Sequence, residues 1–267
     1  MRPLRRALLA AAFLVPFACQ TQPEEVILAS TTSTEDSGLF DELIPAFETA
    51  HPEQRVRVVA VGTGQALELG RRGDADALLV HAAYHELKFM EAGHGRERLD
   101  VMHNDFLIVG PESNPAGVQT VDRPEQAMRR ISQAASPFVS RGDDSGTHSK
   151  ELALWGLAGI GPTGSWYMEV GQGMADALRI ASERHAYTLV DRATWLTLAD
   201  AVDLVPLLEG APEFYNQYAV ITVAEAANPE GADTFAAWIT GEDAQALIGE
   251  FGVERFGRPL FQPSAMR

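Results

Sequence analysis

The sequence predicts an α/β fold, with central, mostly parallel sheets flanked by helices. Three observations predict it. Short runs of aliphatic and β-branched residues alternate with segments of helical periodicity. The joins between them are polar and rich in Ser, Thr and Gly. The chain has 267 residues, 46% of them hydrophobic, enough for one large domain or for two compact lobes that each bury a core.

The elements follow in order. Arg2, Arg5 and Arg6 precede an apolar run from Ala7 to Ala18. That run falls short of the roughly 20 residues a membrane span needs, and it reads as an export signal over residues 1–18. Cys19, the single cysteine, sits where a lipid is attached after cleavage in a bacterial lipobox, although Pro16 and Phe17 replace the aliphatic and small residues of that pattern. The expectation is a periplasmic or cell-surface protein, with the membrane engaged only through an anchor at Cys19.

Glu25 to Ala29 reads as a buried strand, followed by the polar cluster Ser30 to Thr34 and a helix whose apolar face is Leu39, Leu43, Ile44 and Phe47. Arg55 to Val61 is the next strand, Gly62-Thr63-Gly64 a tight turn, and Gln65 to Leu69 the start of a helix. Ala77 to Val80 and Asp105 to Val109 are further strands. Pro137 to Ser140 is a strand, Arg141 to Gly146 a polar turn, and His148 to Gly156 a helix. Gly171-Gln172-Gly173 opens a helix from Ala175 to Arg184. Tyr187 to Val190 and Tyr218 to Val223 are strands, and helices are expected at Ala193 to Leu198, Ala232 to Ile239 and Ala244 to Ile248.

Four strand-to-helix turns carry the chemistry: Ser30 to Ser33, Gly62 to Gly64, Ser145 to Thr147, and Gly171 to Gly173. A helix start leaves backbone N–H groups unpaired and carries partial positive charge, so it suits an anion. Ser and Thr hydroxyls add uncharged donors. The competing explanation for any one turn is a helix cap, which Ser and Thr also favour. Arg141 adds a planar fork of donors for oxyanion oxygens, unless Asp143 or Asp144 takes it up in an ion pair. In open α/β sheets ligands bind outside the carboxyl ends of the strands, where these turns lie.

Other chemistries find little support. The net charge of −16 excludes nucleic acid as a partner, since that needs a basic footprint. The same charge repels small anions at long range, so attraction must be local. Gly62-x-Gly64 lacks the third glycine of a dinucleotide loop, and neither Ser145 nor Ser165 stands in a hydrolase elbow. His81 and His85 have helical i, i+4 spacing, but no Glu follows His81 and no third ligand accompanies them. The Arg-Gly-Asp tripeptide at Arg141 is too short to carry meaning. No nucleophile, base or metal cluster supports an enzyme acting on a phosphorylated substrate. No cofactor is expected.

Six long segments carry a resemblance: STTSTEDSGL (30–39), VGTGQALELGRRGDAD (61–76), HNDFLIVGP (103–111), PFVSRGDDSGTH (137–148), GSWYMEVGQGM (164–174) and YTLVDRATW (187–195). From about Val26 to Phe261 the chain resembles the tungstate-binding proteins of ABC transporters, within the two-lobed type II periplasmic binding-protein fold. The resemblance implies lobe I over 24–106 and 217–267, and lobe II over 107–216. Crossings would fall near Asn104 to Gly110 and Asn216 to Val220. It implies a tungstate or molybdate ligand held by Thr31, Thr32, Ser33, Thr63, Arg141, Ser145, Gly146 and Thr147, with Gly171 and Gly173 in a further loop. Its implied partners are an ABC permease and ATPase, and its implied state is a monomer. The Arg141 to Thr147 loop also resembles that of phosphate-binding proteins, so phosphate is the alternative ligand, and an oxyanion-sensor subunit the alternative role. A carboxylate facing the ligand would favour phosphate, which can carry a proton; an Asp143 turned back onto Arg141 would favour tungstate.

Overall fold

A computed structural model of the chain describes residues 23–265, so the expected signal and Cys19 lie outside the described residues. The chain runs β1 (Glu24–Thr31), α1 (Thr32–Asp36), α2 (Leu39–Ala50), β2 (Gln54–Val61), α3 (Thr63–Arg71), β3 (Ala77–Val80), α4 (Ala83–Glu91) and β4 (Gly95–Gly110). It continues through α5 (Pro124–Gln133), β5 (Phe138–Ser140), α6 (Gly146–Ala158), β6 (Tyr167–Glu169), α7 (Met174–Glu183), β7 (Tyr187–Asp191), α8 (Arg192–Leu198) and β8 (Val205–Leu208). The last elements are β9 (Tyr215–Val223), α9 (Pro229–Ile239), α10 (Glu242–Glu250), α11 (Val253–Phe256) and β10 (Gln262–Pro263).

The strand order is β2-β1-β3-β9-β4-β7-β5-β6, with β8 and β10 both paired to β4. Pairing is parallel among β1, β2 and β3 and among β5, β6 and β7. It is antiparallel wherever β4 or β9 takes part. The expected mostly parallel character therefore holds at the two ends of the order and fails in the middle. The reason is connectivity: β4 leaves the first group of strands, and β9 returns to it in the opposite direction. Along β4, pairing passes from β9 to β7 between Asp105, which faces Tyr215, and Phe106, which faces Asp191.

Each half is covered by helices on both faces, so its strands are apolar on both sides. Successive residues of β3 show this. Leu79 packs with Leu28, Phe47 and Phe235, whereas Leu78 packs with Ala66, Leu67 and Phe89. In β4, Ile108 packs with Phe138 and Trp155, and Leu107 with Leu178 and Val190. No helix among the described residues is long and apolar enough to cross a membrane.

The structure corrects several local expectations. The polar cluster is not all loop, because α1 begins within it at Thr32. The expected strand from Asp105 to Val109 is the distal part of the 16-residue β4, whose first six residues are all exposed or half-buried and so read as polar. Helices α4 and α5 and the short β6 and β8 are not evident in the sequence. Helix α4 buries only Glu86 and Phe89 and leaves Tyr84 and Leu87 exposed, so its apolar periodicity is broken. His81 follows β3 and His85 lies in α4, so the pair does not share a helix face.

Candidate ligand-binding site

The four turns expected to share a ligand are brought together. Gly62 and Gly64 flank Thr63 at the start of α3, and Cβ atoms on them would lie 3.7 Å from the Asp143 carbonyl and 3.6 Å from that of Asp144. A Cβ on Gly173, which precedes α7, would lie 3.9 Å from Thr32 Oγ1. One on Gly146 would lie 3.0 Å from the His81 ring. Turns from the β1–β3 half thus rest directly on turns from the β5–β7 half. Glycine at 146 permits that approach, since any side chain would meet the imidazole.

The hydroxyls in these turns differ in their bonding. Thr63 and Thr147 are buried, and neither hydroxyl has a hydrogen-bond partner within the protein. Such groups are costly unless something completes them. Ser145 caps α6 by accepting from the His148 N–H at 3.2 Å, which leaves its own hydrogen free. Thr31 sits 2.8 Å from Thr34 Oγ1 and 3.2 Å from Ser33 Oγ, so it is engaged within its own turn. Thr32 is half-buried at the start of α1.

Arg141 is buried, and its guanidinium is held on two sides. Nη2 donates to Asp143 Oδ2 at 2.6 Å, and Nε donates to the Gln172 carbonyl at 3.3 Å. Asp143 Oδ1 accepts from the Ser145 N–H at 3.2 Å, so both carboxylate oxygens turn back into their own loop. The Asp144 side chain is 99% exposed, with Oδ1 3.8 Å from His148 Nδ1. The ion pair between Arg141 and Asp143 does form, but as a buried clamp that orients the guanidinium. Gly171 has φ +63° and gives its N–H to the Arg141 carbonyl at 2.7 Å. That N–H is spent on holding the arginine loop and is not available as the expected ligand contact.

Two residues near these turns are not assigned to the anion site by the sequence, where His81 is weighed only as a metal ligand. His81 is buried, stacked on Tyr218 with ring centroids 4.5 Å apart, and bonded through Nδ1 to Asn216 at 3.1 Å. Its Nε2 lies 3.5 Å from Ser33 Oγ. Burial is the main cause that lowers its pKa to about 4, and the charge of Arg141 also lowers it. Asp191 caps α8, accepting from the Thr194 N–H at 2.9 Å and its hydroxyl at 2.6 Å. Burial raises the Asp191 pKa, while Arg141 pulls it down. Spacing gives no hint of His81, because it lies 48 residues from Ser33 and 135 from Asn216. The capping pattern Asp191-x-x-Thr194 is the signal that could have found the other.

A cavity of about 500 Å³ opens beside the turns, lined by His81, Tyr84, Gly146, Lys150, Tyr215 and Asn216 among others. It is mainly apolar, and Lys150 is occupied by the carbonyls of Glu213 and Tyr215, both at 3.0 Å. It offers few free donors, unlike the turns. Among the described residues no group of three or more His, Cys, Asp or Glu is placed to hold a metal.

Comparison with known proteins shows the family. The PBP superfamily domain matches residues 18–243. The tungstate-binding protein TupA of Peptoclostridium acidaminophilum is 49% identical over 249 residues, covering 91% of this chain and 86% of that protein. The crystal structure of the tungstate ABC transporter protein from Geobacter sulfurreducens superposes with a TM-score of 0.78 at 42% identity, over 86% of this chain and all of the other. TupA from Desulfovibrio alaskensis G20 gives a TM-score of 0.76 at 38% identity, over 90% of this chain and 99% of the other. The chain belongs to the PBP superfamily and, within it, to the family of these TupA proteins.

Proposed function

We propose that the protein is an extracytoplasmic, non-enzymatic binding protein that captures tungstate between two lobes and hands it to an ABC permease and its ATPase. The lobes are 24–106 with 217–267, and 107–216. The observation that carries the reading is the pair of buried, unpartnered hydroxyls at Thr63 and Thr147, on turns from opposite halves that close beside Arg141. A fully ionised tetrahedral oxyanion accepts hydrogen bonds in all directions and completes such donors. Ligand contacts fall to Thr32, Ser33, Thr63, Arg141, Ser145, Gly146, Thr147 and Gly173. Thr31 and Gly171 shape the loops behind them. The relatives that are named as tungstate-binding support the choice of anion. The inward turn of Asp143 weighs against phosphate, because both of its oxygens are already bonded within its own loop. Molybdate, of nearly equal size and charge, is the closest competitor.

The mature protein is proposed to act as a monomer, exported by the signal over 1–18 and anchored by lipid at Cys19. A competition titration of the mature protein with tungstate, molybdate, sulfate and phosphate tests the ligand. Tungstate is expected to displace sulfate and phosphate. Preference for phosphate would contradict the reading.

A further inference from the structure

The proposed ligand sets a requirement that the turns alone do not meet. A fully ionised oxyanion only accepts hydrogen bonds, so every hydroxyl facing it must spend its single hydrogen on it. Ser33 has competing neighbours in Thr31 Oγ1 at 3.2 Å and His81 Nε2 at 3.5 Å. If Nε2 is bare, it draws the Ser33 hydrogen away from the cleft. If Nε2 carries the proton, it fills a lone pair on Ser33 Oγ, and the hydroxyl hydrogen is left for the ligand. Resting on the tungstate reading above, we infer that His81 is a positioning residue whose Nε2–H fixes Ser33 as a donor to the ligand and so selects oxyanions that carry no proton.

The surroundings of His81 support that tautomer. The ring lies between the stacked face of Tyr218 and the closing turn at Gly146, so its position is set when the two halves meet. It is neutral above about pH 4 and has one N–H to place. Asn216 and Asn104, on the crossing strands β9 and β4, form a bonded pair at 2.7 Å. With the Asn216 oxygen towards His81, the Asn104 amide nitrogen is buried without a partner. Turning both amides by half a rotation keeps every heavy atom in place. Asn104 Nδ2 then donates to Asn216 Oδ1, and Asn216 Nδ2 donates to His81 Nδ1. The orphan donor disappears and an under-used acceptor, which is less costly, takes its place. His81 must then carry its proton on Nε2. The relay runs one way, from the crossing strands through His81 and Ser33 to the ligand.

The test is nitrogen NMR of protein labelled with 15N-histidine, with and without tungstate, and affinities of wild type and His81→Gln for tungstate and for phosphate at about pH 6, where phosphate is mostly protonated. The Nε2–H tautomer is expected for His81 in the tungstate complex. A glutamine amide can present either its oxygen or its nitrogen to Ser33, so the tungstate-to-phosphate affinity ratio is expected to fall about tenfold in the variant. An Nδ1–H tautomer in wild type that binds tungstate overturns the inference alone, as does an unchanged ratio in a folded variant. Wild type that binds no tungstate overturns the function and the inference together.

Discussion

Among the described residues Arg141 is the one buried arginine whose fork reaches the converging turns, and Asp143 already uses part of it. Aspartate orients the fork and lowers the net charge of the loop, so the remaining N–H groups and the neighbouring hydroxyls share the work of matching a dianion. Removing the cation leaves a divalent guest buried without compensation, which costs several kcal/mol. Arg141→Gln, which keeps a donor for Asp143, is therefore expected to weaken tungstate binding at least about tenfold by calorimetry. Unchanged affinity would remove Arg141 from the site. At this scale much was legible. Thr63, Ser145 and Thr147 stand in short turns whose Gly and hydroxyl content advertises a helix start, and their neighbours are local. His81 and the Asn104–Asn216 pair were not legible, because their roles come from contacts across long stretches of chain. Gly171 looked like a ligand contact because it opens a helix, yet its N–H closes the loop onto the Arg141 carbonyl.

The elements explain why the turns are rigid enough to hold this geometry. Helix α6 begins at the site, and its body packs Leu154 and Trp155 against Phe138 of β5. Glu151 is buried in the same helix, where it accepts from Trp155 Nε1 at 2.9 Å and the Tyr167 hydroxyl at 2.8 Å. Burial pushes its carboxyl up to about 7 from an ordinary 4.5. The folded state thus holds a proton that the unfolded chain releases sooner. The stabilisation is complete below about pH 4.5 and is lost as the pH rises through about 7. Glu86, beside Arg98, is also raised to about 7 by burial, so the two contributions overlap. Glu151→Gln is expected to lessen the fall in melting temperature between about pH 5 and about pH 8, leaving the share due to Glu86. An unchanged slope would show that Glu151 is ionised in the fold. Elements with strong apolar runs, such as β1, β3 and β7, were readable from sequence. The first half of β4 and the whole of α4 were not, because their exposed faces interrupt the period that marks a strand or helix.

For the whole molecule, the net charge of −16 and an anionic ligand pull against each other. The far field repels the ligand, so capture depends on short-range donors that act once water is excluded. The fold supplies these by stacking two similar halves so that helix starts from each face a common seam, joined by β4 and β9. The alternation of strands and helices made that architecture readable. The antiparallel centre was not readable, because it follows from how the chain crosses and returns rather than from any local pattern. The most direct measurement is the anomalous scattering of tungsten in crystals of the tungstate complex. One peak is predicted within hydrogen-bond reach of Thr63, Arg141 and Thr147. A peak instead in the apolar cavity beside Tyr84, Lys150 and Tyr215, with the two threonine hydroxyls untouched, would contradict the account.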